Sequence, residues 1–160
     1  MLNVRLICVG RLKEGFYREA AREYEKRLSA LCRLEITELP ECRLPQSPSP
    51  AQVDAALRKE AEAVRARIPP NSCLVALCVE GEEKSSPELA QLLSDFQLRG
   101  EKHLVLVIGS SFGLHPSLKK EAALRLSMSP MTFPHHLARV MVLEQLYRAM
   151  KINEGSSYHK

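Results

Sequence analysis

Tryptophan is absent from this 160-residue sequence, and aromatic residues make up only 5% of it. So few rings argue against a surface that binds single-stranded nucleic acid by stacking base after base. Long apolar runs are also lacking, and none approaches the ~20 residues that cross a bilayer. The first apolar run, VRLICV, is short and precedes no small-residue cleavage site, so we expect a cytoplasmic protein with no signal peptide and no membrane partner.

Several motifs that mark common sites are missing too. The five cysteines are odd in number and show no C-x-x-C spacing, which argues against a disulfide framework and a zinc site. No G-x-S-x-G elbow indicates a hydrolase triad. Residues 109–113 form G-x-x-x-G, which matches neither the dinucleotide nor the triphosphate loop motif. His135 and His136 have no third ligand at metal-site spacing, so we interpret them as helix-start residues and predict no metal.

The composition is that of an ordinary globular protein, with 45% apolar and 26% charged residues. Its length suits one domain spanning residues 1–160. The net charge of +4 permits nucleic-acid binding without requiring it. Residues 11–33 hold seven basic and four acidic residues, a net charge of +3. Charge alone favours a solvent-exposed helix face with i,i+4 pairs such as Glu23–Arg27 over a phosphate-facing surface.

Apolar periodicity predicts that strands and helices alternate along the chain. Strands are expected over 4–9, 33–39, 73–79, 104–108 and 124–128, with helices over 13–33, 50–68, 86–99 and 116–123 and a long last helix. Residues 80–81 are predicted to turn the chain after the third strand. The first, third and fourth strands are continuously apolar, which is typical of strands covered on both faces. We therefore predict an α/β fold with a mostly parallel sheet and helices on both faces.

Three loops follow the third, fourth and fifth predicted strands, and the carboxyl ends of parallel strands meet at one edge of a sheet. The last loop contains Pro130 and Pro134, which restrict its backbone. We predict a pocket lined by Leu77, Gly109 and residues 128–133. It offers backbone hydrogen-bonding groups and an apolar floor, which suit an adenosine group.

The last helix has apolar residues over a very wide arc, at Val140, Val142, Leu143, Leu146, Tyr147 and Met150. A surface helix has a narrower apolar stripe. We therefore expect burial on two sides, against the sheet and against a second subunit. Arg139 falls inside the arc, so either its stem snorkels or it reaches a partner across the interface. On the remaining face, Glu144 and Arg148 form a favourable i,i+4 pair.

Four segments resemble one known family, essentially from end to end. They are VGRLKEGFYREAAREYEKRL, SSPELA, VIGSSFGLH, and LSMSPMTFPHHLARVMVLEQLYRA with the terminal YHK. The chain resembles the ribosomal RNA large subunit methyltransferase H family, whose members are minimal SPOUT-class knotted methyltransferases. The last segment is highly specific. The resemblance implies an α/β fold whose C-terminal segment forms a trefoil knot, an exception to unknotted topology.

The resemblance also implies an activity. The family is homodimeric and uses S-adenosyl-L-methionine to methylate N3 of a pseudouridine in 23S ribosomal RNA at the subunit interface. We expect the RNA to be bound within the assembled ribosome, although the sequence also allows free RNA. By position, the family's cofactor residues correspond to Leu77, Gly109, Met128, Ser129, Pro130, Met131, Thr132 and Phe133. Positions near the reacting centre correspond to Arg148, Tyr158 and His159.

Three residues depart from the family's usual pattern. Ser110 stands where the family has a second glycine, Cys78 where it has an acidic residue, and Glu82 where it has a lysine. Two roles are open near the reacting centre: His159 is a candidate base, and Arg148 a candidate stabiliser of the developing anion. The alternative to an enzyme is a non-catalytic ribosome-binding module or, with less support, a nucleotide-binding module. Two copies of residues 11–33 in a dimer are expected to contact ribosomal RNA.

Overall fold

Five parallel strands form one sheet in the computed structural model, which describes residues 1–160. The strands are β1 (Asn3–Val9), β2 (Arg33–Leu39), β3 (Ser72–Glu83), β4 (His103–Ile108) and β5 (Leu124–Ser127), in the order β2-β1-β4-β3-β5. The helices are α1 (Gly15–Leu28), α2 (Pro50–Arg65), α3 (Ser86–Leu98), α4 (Pro116–Glu121) and α5 (His135–Asn153). Every pair of neighbouring strands is parallel, which confirms the predicted α/β class.

Helices cover both faces of the sheet, as the continuous apolar strands predicted. Along β1, side chains alternate between two cores: Leu6 and Cys8 belong to one, and Ile7 and Val9 to the other. The larger core contains buried residues of α1, α3 and α5, including Ala21, Leu93 and Leu143. The smaller contains residues of α2 and α4, including Val64 and Leu118. No helix is both long enough and apolar enough to cross a membrane.

Two helices begin with reciprocal capping boxes. Ser49 accepts from the amide of Gln52, whose side chain accepts from the amide of Ser49. Ser85 and Glu88 make the same exchange at the start of α3. Ser85 is therefore the N-cap, and the helix itself begins at Ser86, where the sequence predicted its start. Within each box a proline follows the cap serine, which fits the first helical turn.

The first helix is shorter than the predicted 13–33. The amides of Leu31 and Cys32 both donate to the Leu28 carbonyl oxygen, which turns the chain after α1. Arg33 then pairs with Asn3 and begins β2. Helices α2 and α4 also end two or three residues before the predicted positions. These shifts are confined to helix ends and leave the order of elements as predicted.

Helix α5 lies on the sheet between α1 and α3. Its inner face carries Val142, Leu143 and Leu146, all buried. Arg139 is only 5% exposed, and neither arrangement predicted for it is correct. Its guanidinium donates within the chain, to Glu38 Oε2 at 2.7 Å and to the carbonyl of Gly10 at 3.0 Å. The buried guanidinium therefore has its hydrogen-bond acceptors at the carboxyl ends of β1 and β2. It neither extends to solvent nor needs a second subunit for a partner.

All five cysteines are free thiols. Burial raises the pKa of Cys8 to about 12 and that of Cys32 to about 11. Both thiols therefore stay protonated near neutral pH and pack as small apolar side chains.

Candidate active site

A cavity of about 590 Å³ opens at the carboxyl edge of the sheet, where β4, β3 and β5 end side by side. This is the edge at which the three predicted loops converge. Seven of the eight residues predicted to bind a cofactor line it: Leu77, Gly109, Met128, Ser129, Met131, Thr132 and Phe133. Pro130 is exposed and does not line the cavity, so its place in the loop is to restrict the backbone.

The loop after β4 makes a tight turn at the cavity wall. The amide of Gly113 donates to the carbonyl of Ser110 at 2.8 Å, and these two residues form an antiparallel bridge. A Cβ atom on Gly109 would lie 2.3 Å from the carbonyl oxygen of Gly113, so a side chain does not fit there. The turn leaves Phe112 half-exposed at the rim of the cavity.

Two carboxylates hold this loop in place. Ser110 Oγ donates to Glu60 Oε1 at 2.8 Å, and the amide of Cys42 donates to Glu60 Oε2 at 2.9 Å. Ser111 Oγ donates to Glu41 Oε1 at 2.7 Å. Glu60 is buried, and burial raises the pKa of its carboxyl group. A glycine has no hydroxyl group, so a glycine at position 110 would lack this anchor.

Strand β3 continues beyond the turn predicted at residues 80–81. Leu77 and Glu82 both pair with Leu126 of β5, so the four residues between them bulge out of the ladder. The strand then runs on to Glu83. The predicted end at position 79 and the turn after it are therefore wrong. Irregular strands of this kind are common beside active sites, where they re-aim side chains.

Gly81 closes the bulge by a close backbone approach. A Cβ atom at this position would lie 2.7 Å from the carbonyl oxygen of Arg125 in β5. The sequence pattern indicated a turn at this glycine. In the structure, its missing side chain instead allows β3 to pair with β5 again after the bulge. The bulge places Cys78, Val79 and Glu80 in the wall of the cavity.

A single hydroxyl joins the bulge to the proline-containing loop 128–133. Ser127 Oγ lies 2.8 Å from the carbonyl of Val79 and 3.0 Å from the carbonyl of Ser129. Ser129 Oγ in turn accepts from the amide of Met131 at 3.0 Å. The loop is thus held by local hydrogen bonds and restricted by its prolines. Met131 remains 72% exposed at the cavity, an unusual exposure for a large apolar side chain.

Only two formally charged side chains line the cavity, Glu80 and Lys119. They form an ion pair between Lys119 Nζ and Glu80 Oε1, and this hydrogen bond lowers the pKa of the Glu80 carboxyl group. His135 also lines the cavity, and it begins α5 as predicted. Burial and the neighbouring His136 lower the pKa of His135. No three histidine, cysteine, aspartate or glutamate side chains are grouped as a metal site would require.

The three residues predicted near the reacting centre form a separate cluster around Glu144. Arg148 donates twice to Glu144 Oε1, from Nε at 2.9 Å and from Nη2 at 2.6 Å. The hydroxyl of Tyr158 donates to the same oxygen at 3.3 Å, and its ring lies 4.8 Å from the Arg148 guanidinium carbon. His159 Nδ1 lies 3.4 Å from Arg148 Nη1. The predicted i,i+4 pair is confirmed, and the terminal YHK segment folds back onto α5.

This cluster does not reach the first cavity within one chain. None of Arg148, Tyr158 and His159 lines it, and the last residue of α5 that does is Ala138. Arg148 follows Ala138 by ten positions in α5, which is about 15 Å along the helix axis. A second cavity, of about 470 Å³, has Met128 in its wall and also Glu144. Within one chain, the predicted cofactor residues and the predicted residues of the reacting centre therefore do not line one common cavity.

The sequence patterns did not identify several lining residues: Glu80, Phe112, Lys119, His135 and Ala138. Glu80 was hidden because its stretch was interpreted as a turn. Lys119 belongs to α4, which is far from β3 in the sequence, so no local pattern indicated that it lines the same cavity. Phe112 lies in loop 109–113. The position of this loop directly after a buried strand was the one sequence feature that could have indicated its place in the cavity.

A cavity with backbone groups and apolar side chains, at the carboxyl edge of a parallel sheet, is typical of α/β proteins that bind a nucleoside-containing ligand. The family model described as "Predicted SPOUT methyltransferase" matches residues 2–159. The chain therefore belongs to the SPOUT methyltransferase family.

Curated relatives match the chain over their whole length. The "Ribosomal RNA large subunit methyltransferase H" proteins of Clostridium novyi (strain NT) and Moorella thermoacetica are each 44% identical to this chain, covering 99% and 100% of it and 100% of each relative. The protein of the same name in Bifidobacterium adolescentis is 42% identical over 99% of this chain and 100% of its own. A solved structure of a probable methylase family protein from Haemophilus influenzae Rd KW20 is 15% identical, with a TM-score of 0.55, and the match covers 99% of this chain and 71% of that one. This last likeness supports the fold alone.

Proposed function

We propose that this protein transfers a methyl group from S-adenosyl-L-methionine to N3 of a pseudouridine in 23S ribosomal RNA. The observation that carries the proposal is the cavity formed by Leu77, Gly109 and loop 128–133, in a chain that belongs to the SPOUT methyltransferase family. Relatives that match over the full length are named for methylation of large-subunit ribosomal RNA. One domain spanning residues 1–160 is proposed to carry the whole activity, with its C-terminal segment knotted.

The lining of the cavity fits S-adenosyl-L-methionine. Its volume of about 590 Å³ lies within the usual range for small-ligand sites. Leu77, Ile108 and Leu126 offer an apolar surface to a purine, and the backbone of the loops after β4 and β5 offers donors and acceptors. S-adenosyl-L-methionine supplies a methyl group on a sulfonium, so this chain's residues mainly orient it.

A second copy of the chain is proposed to complete the site. Arg148, Tyr158 and His159 lie outside the first cavity, with about 15 Å of helix between Arg148 and the cavity residue Ala138. In a homodimer packed through α5, the cluster of one copy reaches the cavity of the other. Two half-buried apolar side chains of α5, Val140 and Met141, support such packing. They line the second cavity, which no side chain of the single chain fills.

Removal of the N3 proton is assigned to the terminal cluster. The imidazole of His159 is exposed, and imidazole accepts a proton near neutral pH. Arg148 is held rigidly by its two hydrogen bonds to Glu144 and keeps its charge at any relevant pH. We assign it to stabilise the negative charge that develops on the pyrimidine ring. The Tyr158 ring over the guanidinium fixes the position of that charged group.

Binding of the RNA is assigned in part to α1 and its flanks. Residues 11–33 carry a net charge of +3, and Arg22 and Lys26 are exposed on α1. Two copies in a dimer double this charge. The substrate is proposed to be the assembled ribosome in the cytoplasm, because this small chain offers few phosphate contacts for naked RNA.

Transfer of labelled methyl groups tests the proposal directly. Purified protein is incubated with labelled S-adenosyl-L-methionine and either 70S ribosomes or naked 23S RNA, and the modified base is mapped. We expect one modified pseudouridine, with the label on N3, and faster transfer to ribosomes. Calorimetry measures cofactor binding separately. No binding of S-adenosyl-L-methionine, or tight binding of a nucleoside triphosphate in its place, would refute the enzyme assignment and favour a non-catalytic module.

A further inference from the structure

Glu80 is the one carboxylate in the wall of the cavity, and the bulge in β3 puts it there. The neighbouring acidic residues of the same strand, Glu82 and Glu83, pair with Leu126 and Ser127 of β5. The Glu82 side chain binds Lys84 at 2.7 Å, away from the cavity lining. Of these three acidic residues, only Glu80 therefore lies in the bulge and lines the cavity.

Lys119 fixes one oxygen of Glu80, and no other side chain binds the second. Lys119 Nζ binds Oε1, and the backbone amide of Glu80 itself also donates to the carboxylate. The Lys119 side chain is 20% exposed, whereas that of Glu80 is 57% exposed. An exposed ion pair of this kind contributes little to stability, so a stabilising role does not explain its position.

We propose that Glu80 binds the cofactor by accepting hydrogen bonds from its ribose hydroxyls, and that Lys119 positions the Glu80 carboxylate. The inference rests on the proposed cofactor site. The ion pair decides between two cofactor groups that a carboxylate could recognise, the positively charged sulfonium or ammonium and the ribose diol. Pairing with Lys119 cancels most of the net charge near Glu80, which weakens its attraction for a cation. Its capacity to accept hydrogen bonds remains, and carboxylates bind ribose hydroxyls at this edge of parallel sheets.

The position of Glu80 also accounts for a departure from the family pattern. Cys78 stands where the family usually has an acidic residue, and its thiol is not an ionic partner for Lys119, because burial raises the pKa of Cys78. Glu80, two residues further on, supplies the carboxylate to the same wall. The bulge makes this possible because its residues are free of the ladder register.

A cycle of protein variants and ligands tests the inference by calorimetry. The ligands are S-adenosyl-L-homocysteine and its 2′,3′-dideoxy analogue, and the proteins are the wild type, Glu80→Ala and the matched control Glu82→Ala. We expect Glu80→Ala to weaken binding of S-adenosyl-L-homocysteine about 10- to 100-fold, the range for a hydrogen bond to a charged group. The dideoxy analogue should bind the wild type and Glu80→Ala equally, and Glu82→Ala should resemble the wild type with both ligands.

Three results would overturn the inference. The first is wild-type affinity of Glu80→Ala for S-adenosyl-L-homocysteine, and the second is an equal loss for both ligands, which would show that Glu80 does not bind the ribose. The third is a larger loss for S-adenosyl-L-methionine than for S-adenosyl-L-homocysteine, which would assign Glu80 to the sulfonium. If the wild type binds neither cofactor form, the proposed function itself fails, and this inference with it.

Lys119 has its own test as a positioning residue. Lys119→Met should weaken binding of S-adenosyl-L-homocysteine less than Glu80→Ala does, and should cause no further loss in the Glu80→Ala background. Additive losses would show that Lys119 contacts the ligand itself and would refute the positioning role. Glu80→Gln keeps one acceptor oxygen, so it should recover part of the affinity that Glu80→Ala loses. Circular dichroism and thermal unfolding establish that each variant is folded.

Discussion

Arg139 donates to Glu38 at 2.7 Å across a sequence separation of 101 residues. A second nitrogen of the same guanidinium donates to the carbonyl of Gly10 at 3.0 Å. The start of α5 is thereby tied to the carboxyl ends of β1 and β2. His135, which lines the cavity, begins the same helix. The buried cation therefore helps to hold one wall of the cavity in place.

Arg139→Met should lower the free energy of unfolding by about 1–3 kcal/mol, because the Gly10 carbonyl loses its Arg139 donor and the Glu38 carboxylate keeps only the Leu12 amide. Chemical denaturation at pH 7 measures the change. Arg58→Met is the matched control, since Arg58 makes an exposed i,i+4 pair with Asp54. The control should change stability by less than about 0.5 kcal/mol. Equal effects of the two substitutions would refute a special role for the buried pair.

The loss in Arg139→Met should depend on pH. Burial raises the pKa of Glu38, but hydrogen bonds from Arg139 and the Leu12 amide outweigh it and hold the pKa below the ordinary value. A lowered folded-state pKa adds stability above the unfolded-state pKa, which is about 4.3, and that stability disappears as pH falls through the folded-state pKa. The difference between wild type and Arg139→Met should therefore shrink below about pH 4. A difference that stays constant as the solution is acidified well below that point would contradict this linkage.

Gly109→Ala should distort the turn after β4. The new Cβ atom would lie 2.3 Å from the Gly113 carbonyl oxygen, so the backbone has to move, at a cost of about 1–3 kcal/mol. We expect affinity for S-adenosyl-L-methionine to fall roughly 10- to 100-fold in calorimetry, because the loop lines the cavity. Gly15→Ala is the control: nothing lies within 4 Å of a Cβ there, so stability and affinity should be kept or slightly improved. Unchanged affinity in Gly109→Ala would remove this loop from the cofactor site.

His159→Ala and Arg148→Ala should slow methyl transfer without changing cofactor affinity, because both residues are assigned to the pseudouridine and neither lines the cavity of its own chain. Loss of a base lowers the rate about 10²- to 10⁴-fold, and loss of a charge stabiliser about 10²- to 10³-fold. Single-turnover rates measured against pH separate the roles. His159→Ala should lose the rise in rate that deprotonation of a base produces, whereas Arg148→Ala should be slower by the same factor at every pH. Normal rates in both variants would show that the terminal cluster is not catalytic.

Mixed subunits test whether two copies share one site. Gly109→Ala impairs the cavity, and a chain carrying both Arg148→Ala and His159→Ala impairs the terminal cluster. Each variant alone should be nearly inactive when the cofactor concentration is kept well below the weakened dissociation constant of Gly109→Ala. Random assembly of equal amounts makes half of the dimers mixed, and each of these has one intact site, so about a quarter of wild-type activity should return. Mixed dimers that form but stay inactive would place both sets of residues in the site of a single chain.

Charge reversal on α1 tests its contact with RNA. Arg22→Glu with Lys26→Glu should weaken ribosome binding and lower its salt dependence by about one unit of slope for each phosphate that the helix no longer neutralises. Arg27 is left unchanged because it binds Glu23 at 2.8 Å. The matched control reverses Lys59 on α2 and Lys120 on α4, two exposed residues without an ion pair on helices that cover the opposite face of the sheet. An unchanged slope in the α1 variant would refute the assignment.

Local patterns in the sequence were enough to predict the order of elements and most of the cavity. Helical spacing and continuous apolar runs depend on neighbours in the chain, and so do the loops that carry Gly109 and residues 128–133. Apart from the positions of helix ends, the predictions that were wrong depended on distant partners. Arg139 is buried because it binds Glu38, which is distant in the sequence. Gly81 is needed because the backbone of Arg125 lies close to it, and no local pattern shows that contact. Glu80 was missed for the same reason, because a bulge is defined by two strands.

The hydroxyl of Ser127 gives the cavity a mechanical property. It contacts the carbonyls of Val79 and Ser129, which belong to two different walls. The two carbonyls share the single hydrogen of this hydroxyl, so the two walls are tied to one atom. The wall after β4 is held separately, by Glu41 and Glu60. The cavity wall therefore consists of two independently anchored parts, and each carries an exposed large apolar side chain, Phe112 on one and Met131 on the other.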